Sequence, residues 1–229
     1  MRNKAKKYFT VKSGIIAVTF CLILTSGICT KQHFLYMLPL CISLLVMALQ
    51  SEVNRYGFLV GSLNSCIYTA AYFSMGLYAM AAQSLLFSFP FQLVTFVRWK
   101  KKAYGKATVC QKMPGKLRFL VSTCMLVVFG VIQLVLNTTK SDYALLDNIS
   151  SLFGIVTSVL CLFAFIEYTY LSLLSSALTI ALNVQVMLHN PAHITYLIYS
   201  LYSSYCIICT FINVRKIYAQ QCRQALSEG

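Results

Sequence analysis

Long apolar runs alternate with short polar connections along the whole chain. A helix that crosses a bilayer needs roughly 20 apolar residues, because the hydrocarbon core is about 30 Å thick and each residue advances a helix by about 1.5 Å. Eight runs have approximately this length, at residues 12–30, 34–50, 56–74, 76–97, 117–137, 147–167, 169–188 and 193–214. The pattern predicts an all-α, polytopic membrane protein of about eight transmembrane helices, with residues 1–229 forming a single membrane domain.

Composition supports a chain whose solvent is the lipid bilayer. Hydrophobic residues make up 59% of the sequence and charged residues 10%, whereas soluble domains carry about 25% charged residues. The ten cysteines lie mostly inside apolar runs, where a free cysteine behaves as a small hydrophobe. Cys206 and Cys209 form a lone C-x-x-C with no nearby histidine, so the sequence predicts neither a metal site nor a cofactor.

The basic residues predict the orientation of the chain. A net charge of +14 would suit a nucleic-acid partner, but the basic residues lie in loops and tails between apolar runs. With a cytoplasmic N-terminus, the inside segments hold 17 of the 19 Lys and Arg residues, and the outside loops keep only Lys31 and Lys140. This asymmetry follows the positive-inside rule. It predicts a multi-pass protein of the cell (plasma) membrane with both termini cytoplasmic, a basic cytoplasmic loop at 98–116 and a cytoplasmic tail at 215–229, and it disfavours nucleic acid.

The runs also divide into two similar halves. Residues 34–97 and residues 147–214 each contain three runs, and the run at 117–137 links them, while 12–30 is an extra N-terminal helix. An odd number of crossings between the halves gives both the same orientation, which predicts parallel three-helix repeats in a 3+1+3 arrangement. Glu52 and Glu167 each stand at the end of the first helix predicted for a half, and this correspondence supports the repeat. Two such bundles can rock about a central site and open it to each side in turn.

Polar side chains inside apolar runs are costly in lipid and usually face the interior of a helix bundle. Gly61, Asn64 and Tyr68 are spaced by three and four residues, so they share one face of a helix. For Asn64, a hydrogen bond between helices and a contact to a solute remain equally open, whereas close helix packing is favoured for Gly57 and Gly61. The residues predicted to bind a solute are Asn64, Tyr68, Gln83, Gln92, Asn183 and Tyr199.

Three further features concern helix shape and aromatic residues. Pro90 lacks a backbone N–H, so it predicts a kink that frees a carbonyl near the membrane centre. Trp99 stands at the cytoplasmic end of its run, where an aromatic belt is expected. Tyr196, Tyr199, Tyr202 and Tyr205 spread over a broad band of one helix. Such a band suits either stacking on a planar ring or ordinary helix packing.

The charges inside the runs point to uncoupled transport. No Lys or Arg lies near the centre of a run, and Asp147 and Glu167 lie at helix ends. Proton-coupled carriers use buried acids or histidines, so facilitated diffusion is favoured over coupled transport. The sequence contains no nucleotide-binding loop, zinc-protease motif or nucleophile–base pair, so no enzyme is predicted.

Residues 56–105 resemble the nicotinamide riboside transporter family (Pnu-type vitamin transporters). The family pattern runs from an aromatic-Gly pair through Gly-x-x-Asn, Tyr, Leu-Tyr and Pro-x-Gln to a Trp, and it is matched here by Gly61, Asn64, Tyr68 or Tyr72, Tyr78, Pro90, Gln92 and Trp99. In the second half, Asp147 and Glu167 fit the family's acids. The resemblance covers roughly residues 34–214. It implies the 3+1+3 fold and uniport of a vitamin that a cytoplasmic kinase then traps.

The chain departs from that pattern at positions of the family's vitamin-binding region. The family's Glu-x-Trp-x-x-Trp reads EYTYLS at 167–172, and its next Asn falls near Ser176. The Gly-Trp after Pro-x-Gln is replaced by Thr95 and Phe96. The resemblance makes nicotinamide riboside the leading solute. The departures keep three alternatives open: thiamine, riboflavin, or a non-transporting regulatory or assembly role. The sequence leaves open whether copies of the chain associate into a homo-oligomer.

Overall fold

The computed structural model describes residues 2–138 and 144–227, and the side chains of residues 12–134, 145, 146 and 148–227. Two residues singled out above fall outside it: Lys140 entirely, and Asp147 by its side chain. Everything below concerns the described part of the chain.

The described residues form helices almost throughout, as predicted. The helices are α1 (Arg2–Cys29), α2 (Phe34–Ser51), α3 (Tyr56–Ser74), α4 (Tyr78–Gln83), α5 (Phe89–Lys101), α6 (Gly115–Thr138), α7 (Ala144–Leu162), α8 (Tyr168–His189) and α9 (Ile194–Ser227). A π-helical turn at Ser84–Ser88 joins α4 to α5, a 3₁₀ turn at Pro191–His193 precedes α9, and β1 (Ala103–Tyr104) pairs with β2 (Ala107–Thr108) in an antiparallel hairpin. The all-α, polytopic fold is confirmed, with eight helical rods matching the eight runs.

Length and composition mark six of these rods as candidate membrane spans within the described residues. They comprise α1, α2, the α4–α5 rod, α6, α8 and α9. The other two are α3, which carries Asn64 and three tyrosines, and α7. Polar residues lower the mean hydropathy of a helix even when they face the bundle interior, so α3 fits the same architecture.

Two predicted boundaries differ from the structure. Arg98, Lys100 and Lys101 belong to the last turn of α5, so the loop between α5 and α6 is shorter than the predicted 98–116. Basic side chains in the last turn are favoured by the partial negative charge at a helix C-terminus. The predicted tail at 215–229 is helical as far as Ser227. The shorter loop, residues 102–114, is called the inner strap below.

The predicted kink at Pro90 takes the form of a π turn. The Phe89 N–H donates to the Ser84 carbonyl, five residues earlier, and Pro90 follows at the start of α5. Because proline has no N–H, α5 can begin there without losing a backbone donor. A π turn inserts an extra residue into a helix and re-orients the side chains that follow it, and Gln92 lies just beyond.

Six helices pack in a closed ring in the order α2, α3, α5, α7, α8, α9, and α9 returns to α2. Each half contributes three consecutive members, and the halves meet at two seams, α5 against α7 and α9 against α2. Outside the ring, α1 packs on α9 and α2, and α6 packs on α7. We call the face that carries the inner strap the inner face, and the opposite face the outer face.

Equivalent turns at the inner face show how the halves correspond. Val53 follows α2 and Ala164 follows α7, and both have φ of 56°. Each donates its N–H to the carbonyl three residues earlier, at Gln50 and Cys161, over 2.8 and 2.9 Å. A β-branched residue seldom adopts positive φ, so Val53 stores backbone strain that the surrounding structure must hold.

The two glutamates that suggested the repeat are not equivalent. Glu52 is the residue directly after α2, whereas Glu167 directly precedes α8. The matching left-handed turns therefore support the repeat, and the glutamates do not. Glu167 instead forms an ion pair with Arg118 of α6 and accepts the N–H of Met113 from the inner strap, over 3.1 Å.

Candidate functional site

All six ring helices contribute to one cavity of about 170 Å³ in the inner half of the ring. Its walls are Met47, Gln50, Val53, Phe58, Phe91, Gln92, Thr95, Trp99, Thr157, Ser158, Cys161, Tyr168, Thr169, Ser172, Ile207 and Thr210. A cavity between two repeats is where a rocking carrier is expected to bind its solute.

The cavity is polar but uncharged. Among the described residues that line it, none is Lys, Arg, Asp, Glu or His. Glutamines, threonines and serines supply hydrogen-bonding groups, and Phe58, Phe91, Trp99 and Tyr168 supply aromatic surface. This chemistry suits a planar solute with hydroxyl or amide groups, and it offers no counter-ion to a phosphate.

Gln92 is the one predicted binding residue that lines this cavity. Its Nε2 donates to Ser65 Oγ over 3.1 Å, and its buried Oε1 has no hydrogen-bond partner in the described structure. A Cβ placed on Gly61 would lie 2.0 Å from that oxygen. Gly61 thus makes room for the Gln92 amide, in addition to the helix packing expected of it.

Gly57 has the same relation to a second cavity residue. A Cβ on Gly57 would lie 2.9 Å from Gln50 Cγ, and Gln50 belongs to α2 while Gln92 belongs to α5. The G-x-x-x-G of α3 therefore makes room for two cavity glutamines, one from each neighbouring helix. Gln50 was not predicted as a binding residue, because it lies at the inner end of its apolar run.

Asn64, Tyr68 and Tyr199 come together around Ser43 of α2, above the cavity. Asn64 Nδ2 donates to Ser43 Oγ over 2.8 Å and to the Pro39 carbonyl over 2.9 Å. The Ser43 hydroxyl donates to the Tyr68 hydroxyl over 2.9 Å, and the Tyr199 hydroxyl lies near both. These groups link α3, α2 and α9, and they do not line the cavity.

Aromatic rings fill the outer half of the ring. Tyr68 and Tyr72 stack with centroids 5.2 Å apart, and Tyr72 contacts Tyr196 of α9 at 6.4 Å. The contact reaches from the first half to the second. We call Tyr68, Tyr72, Tyr196 and Tyr199 the tyrosine cluster. The band of tyrosines predicted on the last helix thus packs against tyrosines of α3.

Asn183 and Gln83 lie apart from the cavity. Asn183 Oδ1 is 2.9 Å from Nε2 of His193, whose ring stacks on Tyr196 with centroids 4.6 Å apart. This group joins α8 to the start of α9 near the outer face. Gln83 Nε2 donates to Ser88 Oγ over 2.6 Å and lies against Gly154 of α7.

Trp99 is buried rather than placed in an aromatic belt, so that expectation was wrong. It is 1% exposed, and its Nε1 donates to the Cys161 carbonyl over 3.1 Å. Its ring packs edge-on against Phe58 at 4.8 Å. The bond reaches the left-handed turn after α7, just as Thr210 Oγ1 reaches the Gln50 carbonyl beside the turn after α2, at 3.5 Å. Trp99 therefore joins the two halves at one seam.

The inner strap connects both turns below the cavity. Arg55 N–H donates to the Lys106 carbonyl over 3.3 Å, while Gln111 N–H donates to the Ala164 carbonyl over 3.0 Å. Gln221 of α9 accepts the Cys110 N–H over 3.0 Å and donates to the Thr108 carbonyl over 3.2 Å. Burial raises the pKa of the Cys110 thiol to about 11, so this thiol is protonated at neutral pH. The strap is thus an ordered element that bridges the halves.

Comparison with known proteins agrees with this architecture. The model of the nicotinamide mononucleotide transporter family matches residues 33–215. The chain belongs to this family. Its fold is similar to that in the crystal structure of the vitamin B3 transporter PnuC, with a TM-score of 0.77, 18% sequence identity and 92% of each chain covered. No curated protein sequence matches the chain. The resemblance stated from the motifs is confirmed, and the protein is a multi-pass membrane transporter by family and fold.

The cavity explains where the departures from the family pattern lie. Thr169 and Ser172 occupy the two tryptophan positions of the EYTYLS segment, and Thr95 replaces a glycine, and all three line the cavity. Ser176 does not line it and instead bonds Ser204 of α9 over 2.5 Å. The substitutions at 95, 169 and 172 were visible in the sequence, and they marked cavity positions that were not among the residues predicted to bind a solute.

Proposed function

We propose that the chain carries nicotinamide riboside across the cell membrane by facilitated diffusion, with alternating access to the cavity between the two halves. The observation that carries the proposal is the uncharged, partly aromatic cavity to which all six ring helices contribute. A solute bound there contacts both halves at once, so movement of one half against the other can expose it to either face.

The cavity favours the riboside over the mononucleotide. Nicotinamide riboside bears one positive charge on its pyridinium ring and no phosphate, whereas the mononucleotide adds a phosphate. Burying a phosphate without a basic partner is costly, and the lining offers none. A flat cation can lie over aromatic faces, a contribution of about 0.5–2 kcal/mol, and the aromatic residues Phe58 and Phe91 line the cavity. The lining also contains no ionisable acid or histidine to couple a proton.

Uptake into liposomes containing the purified protein tests the proposal. Labelled nicotinamide riboside should enter and equilibrate, and collapsing the proton or sodium gradient should leave the rate unchanged. Labelled nicotinamide mononucleotide should enter at least tenfold more slowly. Uptake no faster than in empty liposomes for the riboside would discard this proposal, and faster entry of the mononucleotide would reverse the choice of solute.

A different vitamin is the second candidate, on a specific observation. Thr169 and Ser172 replace aromatic positions of the family pattern and line the cavity, so the space near α8 is wider than two tryptophans would leave. Thiamine and riboflavin, also planar, are the competitors to include in the same liposomes. If riboside uptake is absent and one of these enters, the carrier role stands with a changed solute. If none of the three enters, a regulatory or assembly role becomes the better account.

A further inference from the structure

The two halves of the ring present different chemistry to the cavity. The first half supplies Phe58, Phe91 and Trp99, together with the two glutamines. The second half supplies the hydroxyl groups of Thr157, Ser158, Thr169, Ser172 and Thr210. Thr95 is the one hydroxyl of the first half and Tyr168 the one aromatic ring of the second. With these two exceptions, the aromatic rings and amides of the lining come from the first half, and its hydroxyl groups come from the second half.

The aromatic side is rigid. Trp99 is held by its bond to the Cys161 carbonyl and by the edge-on contact with Phe58. Thr95, between them and the π turn, donates its hydroxyl to the Phe91 carbonyl over 2.6 Å. Trp99 is 1% exposed, so its role is to fix the Phe58 ring, and a fixed ring can receive a planar group with little loss of conformational entropy.

The hydroxyl side is arranged to accept hydrogen bonds. Ser158, Thr169 and Ser172 each donate their hydroxyl proton to a carbonyl of the same chain segment, over 2.8 Å in every case. Their oxygen lone pairs remain available to a ligand donor. Thr157 differs, because its buried Oγ1 has no hydrogen-bond partner in the described structure. A buried hydroxyl without a partner is costly, and a bound ligand towards which Thr157 turns its hydroxyl removes that cost.

We propose that the cavity binds its solute in one orientation, with the planar ring against Phe58 and Phe91 of the first half and a hydroxyl-rich sugar against the second half at Thr157, Thr169 and Ser172. This inference rests on the function proposed above. Because the ring and the sugar contact different halves, Thr157 should discriminate nicotinamide riboside, which has the sugar, from nicotinamide, which lacks it.

Liposome uptake with two probes tests this assignment. Thr157→Val keeps the shape of the side chain and removes a hydroxyl that has no partner among the described residues, so the fold should be preserved, which thermal unfolding in detergent checks. The concentration of nicotinamide riboside for half-maximal uptake should rise about 3- to 10-fold, the value of one hydrogen bond. Inhibition of that uptake by nicotinamide, which lacks the sugar, should stay within about twofold of the original protein.

Two further variants separate the possible outcomes. Phe58→Leu should weaken the binding of nicotinamide and of nicotinamide riboside alike. Thr25→Val on α1, whose hydroxyl bonds the Cys21 carbonyl outside the ring, should change the binding of neither. If Thr157→Val weakens both probes equally, or neither, the orientation is overturned while the proposed function stands. If the unaltered protein takes up no nicotinamide riboside, the proposed function fails and this inference falls with it.

Discussion

The outer and inner halves of the ring differ in what lies beside their buried polar groups. In the outer half, Asn64 makes two hydrogen bonds through its Nδ2, its buried Oδ1 has no partner among the described residues and lines no part of the cavity, and Asn183 bonds His193 and the start of α9. In the inner half, Gln92 Oε1 and Thr157 Oγ1 are buried beside a cavity and have no partner among the described residues. Paired groups hold helices together, while unpaired groups beside a cavity remain available to a ligand.

The largest effect is expected from Gly61→Ala. The added Cβ would lie 2.0 Å from Gln92 Oε1, so the amide must move and the cavity must change. Overpacking of this kind costs about 1–3 kcal/mol, and we expect the uptake rate in liposomes to fall about tenfold or more. Gly130→Ala on α6 is the matched control, because a Cβ there meets nothing within 4 Å. Equal uptake by the two variants would contradict the role assigned to Gly61.

Asn64→Ala should act on stability in the first place. It removes the bonds to Ser43 and the Pro39 carbonyl, and interhelical hydrogen bonds in membranes contribute about 0.5–2 kcal/mol. The apparent melting temperature in detergent should therefore fall, with Ser62→Ala as control, since Ser62 bonds only its own helix in the described structure. Unchanged melting with lost uptake would instead place Asn64 at the solute.

Gln221→Ala should loosen the inner strap. The change removes the bonds to the Cys110 N–H and the Thr108 carbonyl. In a variant whose single cysteine is Cys110, labelling by a maleimide should become about fivefold faster, as expected for losing one or two hydrogen bonds. Because burial raises the pKa of this thiol to about 11, labelling should also accelerate as the pH rises towards that value.

The control for this experiment is Gln220→Ala, at an exposed neighbouring position on α9. If the strap does not cover Cys110, both variants will label at the rate of the parent protein.

Ser65→Ala is expected to have the smallest effect. Ser65 Oγ accepts from Gln92 Nε2 over 3.1 Å, and without that bond the amide keeps its place over Gly61. The half-saturating concentration of nicotinamide riboside should rise only about two- to threefold. A loss as large as that of Gly61→Ala would show that Ser65, rather than Gly61, fixes the amide.

The fold could be predicted from the sequence because bilayer thickness dictates the length of each apolar run. The positions of the basic residues in the loops then support the number of helices and their orientation. The site could be predicted only in part. Asn64 and Gln92 have the same functional group in the same kind of helix, each donates through its amide nitrogen, and each has a buried oxygen without a partner among the described residues, so only the position of Gln92 at the cavity separates them. Trp99 was misplaced for a related reason, since its partner Cys161 lies 62 residues away. Such pairings depend on register between helices, which hydropathy does not report.

The extra helix α1 has a mechanical consequence. Lys12 is buried, and its Nζ bonds the Ala48 carbonyl at 3.1 Å, Ser51 Oγ at 2.6 Å and Glu52 Oε1 at 3.0 Å, while the body of α1 also packs on α9. One junction between the two bundles is therefore clamped from outside, whereas the bonds of α6 among the described residues go to α7 and to the residue before α8, within a single bundle. A displacement of the bundles that pivots on α2 and α9 must consequently open the junction of α5 with α7 and break the Trp99–Cys161 bond.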